Sequence, residues 1–170
     1  QAYPKASRSN CISNMIAEMS RKSVEISCPT VYGPGMEMTF DVTLRNASKA
    51  SIKIYNVSNS PVHQSNYMVK RGQKLPAAPV AVLPVETSAD AYPYENTVSV
   101  SYSFPAKGNY IAVPVIEGVK SDRHNYSKIH ITGVTLAMSS FNENRLWAVN
   151  PSNGEPLKYV TLQLTNTRRA

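Results

Sequence analysis

Runs of strictly alternating apolar and polar residues constrain this chain more than anything else in it. The clearest is Met38-Thr39-Phe40-Asp41-Val42-Thr43-Leu44-Arg45, which places Met, Phe, Val and Leu on one side and Thr, Asp, Thr and Arg on the other. A two-residue period of this kind marks a strand with one face buried and the other in water. The pattern recurs in Val24-Glu25-Ile26-Ser27-Cys28, around Ile52 and Ile54, and over Thr97–Phe104, Asn109–Ile116, Lys128–Met138, Arg145–Val149 and Leu157–Thr165. Many short strands separated by turns predict an all-β fold, an antiparallel β-sandwich of immunoglobulin-like or jelly-roll-like type.

One segment breaks this period. Ile12, Met15, Ile16 and Met19 fall at i, i+3, i+4 and i+7, which predicts one short N-terminal helix whose apolar face packs on a sheet. Residues 1–10 carry Pro4 and no apolar period, and are expected as an extended arm before a single sandwich domain over 11–170. A chain of 170 residues suits one domain. No run approaches the ~18 apolar residues of a membrane helix.

Turn chemistry separates the strands. Tyr32-Gly33-Pro34-Gly35 and Asn150-Pro151-Ser152-Asn153-Gly154 read as turns, and Asn46 through Ala50 breaks the strongest strand. Residues 72–96 form the irregular middle, a proline-rich loop holding Pro76, Pro79, Pro84 and Pro93. Proline is confined to edges and loops, so at most an edge strand near Val80–Val85 is expected there. Pro105-Ala106-Lys107-Gly108 is short enough to join its flanking strands as a hairpin. Gly133 suggests a bulge where Lys128–Met138 bends or changes sheets. Val160, Leu162 and Leu164 are expected to face the core.

The stretch Ser101-Tyr102-Ser103-Phe104-Pro105-Ala106-Lys107-Gly108-Asn109-Tyr110-Ile111-Ala112-Val113 resembles the late hairpin of immunoglobulin-like modules of the PKD and fibronectin type. That resemblance implies a corner tyrosine at Tyr110 and extra strands or an insertion, since such a module has about 100 residues. It carries no functional residue over.

Cys11 and Cys28 are the two cysteines. Their spacing excludes a C-x-x-C pair and no histidine lies near them, so a disulfide is expected, worth on the order of 3 kcal/mol by loop-closure entropy. Such a bond, with a polar composition of only 17% charged residues, predicts a secreted, periplasmic or cell-surface protein. The chain opens on Gln1, which fits removal of a leader. Net charge is +7, but the basic residues are scattered and lack interleaved aromatics, so nucleic acid is not favoured.

The three histidines, His63, His124 and His130, show no ligand spacing, and His130 is expected to point outward between Ile129 and Ile131. No metal or other cofactor is expected, and no catalytic constellation is legible. Two features suit recognition instead. Tyr92 and Tyr94 flank Pro93 in the irregular loop, where their rings could stack on sugars or anchor a protein. Trp147, the single tryptophan, is expected in the core, or as a ligand platform should it face outward. Sequons at Asn46, Asn56 and Asn125 lie at predicted loops or strand ends open to glycosylation in a eukaryotic source.

The sequence therefore predicts a non-enzymatic, exported β-sandwich acting through its surface, as a subunit of an extracellular or envelope assembly or as an adhesion module. Its partner would be another protein or a second copy. A carbohydrate-binding domain using Tyr92, Tyr94 and Trp147 is the second expectation; a basic toxin or viral coat protein ranks lower.

Overall fold

A computed structural model describes residues 7–59, 75–87, 95–119, 126–139 and 145–161. Among them lie helix α1 (Ser7–Met19) and ten strands: β1 (Ser23–Ser27), β2 (Val31–Tyr32), β3 (Glu37–Arg45), β4 (Lys49–Asn56), β5 (Ala81–Glu86), β6 (Asn96–Ser103), β7 (Gly108–Ile116), β8 (Ser127–Ile131), β9 (Thr135–Ser139) and β10 (Arg145–Val149). Three strands form one sheet in the order β1-β3-β6, and five form a second in the order β2-β8-β7-β4-β5. All neighbours are antiparallel except β2, which runs parallel to β8.

The alternation does what the sequence demands of it. Met38, Phe40 and Val42 of β3 are wholly buried and Leu44 almost so, facing Ala50, Ile52 and Ile54 of β4, Tyr110 and Ala112 of β7, and Ile129 and Ile131 of β8 in one core. Burying each such aliphatic side chain contributes roughly 1.5–3 kcal/mol. The edge strand expected near Val80–Val85 is β5, at the rim of the five-stranded sheet, where Pro84 does least harm.

Several expectations are corrected. Pro105–Gly108 does not close a hairpin, because β6 and β7 belong to different sheets. Phe104 is 1% exposed and plugs the end of the sandwich, its ring 4.9 Å from Tyr102 and 4.7 Å from Tyr110. A tight hairpin would hold that ring at a solvent-facing turn; crossing between sheets buries it.

The strand expected over Lys128–Met138 divides at Thr132–Val134, where Thr132 Oγ1 bonds the Val134 backbone at 3.0 and 3.2 Å. Its second half, β9, leaves the sandwich and pairs with β10 as a two-stranded ribbon. Of the final pair, Arg145–Val149 with Leu157–Thr165, the described residues show the Val149↔Pro156 bridge and a 2.8 Å bond from the Leu157 N–H to the Ala148 carbonyl. Pro156 brings no donor, and Tyr159 turns the chain away at φ 59. Val160 is exposed rather than core, and Leu162 and Leu164 lie outside the described residues.

The N-terminus differs too. Ser7–Asn10, expected in an extended arm, open α1. The apolar stripe forms as the spacing predicts but is not part of the core formed by the described residues: Ile12, Met15 and Ile16 are each 59% exposed and Met19 65%. The helix is tied down at its C-terminal end, where Asn46 Nδ2 donates to the carbonyls of Met19 at 2.6 Å and Arg21 at 3.0 Å. Late helix carbonyls have no partner of their own, and a buried amide supplies one.

Candidate functional site

Cys11 and Cys28 are free thiols, so the expected cystine is not formed. Cys11 sits exposed on α1, whereas Cys28 follows β1 and packs against the core. Burial raises the Cys28 thiol above its ordinary value, partly offset by its hydrogen bond with Ser127. A protonated, half-buried thiol is a poor nucleophile.

Asn46 is 7% exposed and both its amide contacts are internal, so this sequon has no room for a glycan. Asn56 ends β4 exposed, its Oδ1 accepting from the Ser58 N–H at 3.0 Å. Asn125, Tyr92 and Tyr94 lie outside the described residues, as do His63 and His124. Trp147 is 42% exposed, which corrects its expected place in the core. It shares the ribbon with Leu136, 52% exposed, and Leu146, 42% exposed. A two-stranded ribbon showing apolar residues on both faces is marginal alone in water.

Tyr110 is buried, and its hydroxyl donates to the Ala106 carbonyl at 3.0 Å, four residues upstream. That is the corner tyrosine the resemblance implies. Burial first, and then the nearby Tyr102, raise its phenol above the ordinary value.

One recess was not anticipated. Ile111, Val113 and Val57 are nearly fully buried on the outer face of the five-stranded sheet, beneath Tyr55, Leu75, Val115 and Tyr126. Beside them a depression of about 390 Å³ has Val57 and Ile111 in its floor and Thr30, Val31, Lys128 and His130 on its rim. His130 is exposed as expected, but its Nδ1 lies 2.6 Å from Asn109 Oδ1, and Lys128 is likewise engaged. His130 and Lys128 thus already have partners. The signal was present in Ile111-Ala112-Val113-Pro114-Val115-Ile116, an unbroken apolar run of the kind that marks a strand buried on both faces. Among the described residues no group of three or more His, Cys, Asp or Glu could hold a metal. No described helix is long and apolar enough to cross a membrane.

Two facing sheets, a connection that switches between them and a corner tyrosine define an immunoglobulin-like β-sandwich. No protein-family model matches the chain, and no curated protein does. Among solved structures it is similar to alpha-2-macroglobulin from Escherichia coli spanning domains MG0-NIE-MG1, with a TM-score of 0.58 at 12% identity over 81% of this chain. It spans about half, 48%, of that structure. A CARDB domain from Pyrococcus furiosus gives a TM-score of 0.37 at 13% identity over 65% of this chain and 92% of that one. At such identities the macroglobulin likeness speaks to the fold, which it supports.

Proposed function

We propose that this chain is a non-enzymatic interaction module of an exported or cell-envelope assembly, binding a protein partner through apolar residues the sandwich leaves uncovered. The observation that carries the reading is α1. Its four apolar residues are 59–65% exposed at helical spacing, while the helix is held to the fold by Asn46 at one end. A helix that contributes little to its own core yet keeps an apolar stripe is suited to lie in a partner's groove. The low charge content supports export; the free thiols lend that part of the reading nothing.

A photoreactive amino acid in place of Met15 tests it in the producing cells. The expected result is one discrete adduct in the exported fraction. A chain confined to the cytosol overturns the export, and absence of any adduct at position 15 overturns the interaction surface.

A second reading, glycan binding, is favoured by the exposure of Trp147. Retention of a glycan by the wild-type chain and its loss in Trp147→Ala would carry it; a wild-type chain that retains no glycan excludes it.

A further inference from the structure

The sandwich has four sheet edges among its described strands, and three are guarded. β2 has only two residues. β5 contains Pro84, and its Glu86 pairs with Lys49 at 3.2 Å. β1 is five residues long, carries Glu25, and receives Ser127 Oγ from the facing sheet on its Ile26 carbonyl at 3.5 Å. The fourth edge, β6, has none of these devices. Its eight residues, Asn-Thr-Val-Ser-Val-Ser-Tyr-Ser, include no proline and no charge. They pair with β3 in unbroken register from Glu37↔Ser103 to Leu44↔Asn96, so no bulge twists the edge away. Among the described strands only β3 pairs with β6, and a long, uncharged edge without a bulge offers backbone donors and acceptors to another strand.

The core is also open along this line. Met38, Phe40 and Val42 are wholly buried, whereas their cross-strand partners Tyr102, Val100 and Val98 are only half-buried.

We propose that β6 pairs antiparallel with β6 of a second copy, fusing two three-stranded sheets into one of six strands; this surface is separate from the α1 stripe and stands independently of it. The strand is self-complementary. Centred on Val100, antiparallel pairing sets Val98 against Tyr102 on the core side, and Ser99 against Ser101 and Thr97 against Ser103 on the outer side. Apolar meets apolar, hydroxyl meets hydroxyl, and no like charges are opposed. The outer face already works this way within one chain: Thr97 Oγ1 lies 3.0 Å from Thr43 Oγ1, and Ser99 Oγ donates to Asp41 Oδ1 at 2.7 Å. A two-fold operator consumes the open edge in both copies at once, giving a closed dimer rather than a fibre.

Charge swapping tests the register. S99K/S101K and S99E/S101E each place like charges opposite one another in the self-pair, at exposed positions. By sedimentation, the wild-type chain is expected to show a concentration-dependent monomer–dimer equilibrium, each double variant to weaken it at least about tenfold, and an equimolar mixture of the two to restore it. In parallel, amide exchange over 97–103 of the wild-type chain should slow as concentration rises, a readout that needs no variant to fold. A strictly monomeric wild-type chain, variants that dimerise normally, or exchange indifferent to concentration overturns the proposal. None of these substitutions touches α1. An adduct from position 15 in a monomeric chain therefore rejects the β6 pairing alone, and a β6 dimer without that adduct rejects the helix surface alone.

Discussion

The centre and the margins of this molecule use apolar residues in opposite ways. In β3, four alternating side chains are sealed between two sheets, each 0 or 1% exposed. In α1, four side chains of similar size and equally regular spacing remain at least 59% exposed. The difference lies in what the neighbouring surface offers. β3 faces Ile52, Ile54 and Ala112 across the core. The outer side of the three-stranded sheet presents Thr39, Asp41, Thr43, Ser99 and Ser101, which reward no apolar helix. Periodicity says which residues share a face; it does not say whether anything is there to cover that face.

The contrast can be broken at several points. Phe40→Ala removes a wholly buried ring from the middle of the core and should cost about 3–5 kcal/mol by denaturant unfolding. A smaller loss would mean that the two sheets are less tightly joined than their burial implies. Asn46→Ala comes next. It strips the Met19 and Arg21 carbonyls of their buried partner and should cost about 1–3 kcal/mol. It should also speed amide exchange in the last turn of α1 while leaving β3 protected. Uniform loss of protection would show the helix to be part of the core.

Tyr110→Phe should cost about 1 kcal/mol through loss of the bond to Ala106. It carries a pH test as well. The Tyr110 phenol is raised above the ordinary 10.0, so its contribution is fully present below pH 10 and disappears as pH climbs through the folded value. The variant should therefore lose less stability than the wild-type chain on strongly alkaline titration. Parallel alkaline losses in the two proteins would remove Tyr110 as the cause.

Legibility followed the same division. Met38 through Leu44 announced their strand, their face and their burial, because local pattern and global packing agree there. The prolines at 79 and 84 correctly reduced β5 to an edge. Pro105–Gly108 suggests a hairpin, yet four residues serve a hairpin and a crossing between sheets equally well; the burial of Phe104 decides between them, and connector length carries no trace of it. Trp147 is expected inside, or on a ligand platform should it face outward, and it is exposed because β9 leaves the sandwich after Thr132 and takes its partner strand along. Asn46 reads as an exposed sequon, since nothing within its own neighbourhood reveals the Met19 and Arg21 carbonyls it satisfies at the end of α1. The apolar outer face of β7 was visible as an uninterrupted run, yet its meaning depends on the segments that lie over it.

The α1 stripe lies outside the folded core, which leaves it open to the partner proposed above. Thermal unfolding of an Ile12→Ser/Ile16→Ser variant beside the wild-type chain tests this most directly. A stability change within about 0.5 kcal/mol is expected, as for substitutions at exposed positions. A loss of several kcal/mol, comparable to that of Phe40→Ala, would show that the stripe is buried in solution and would contradict it.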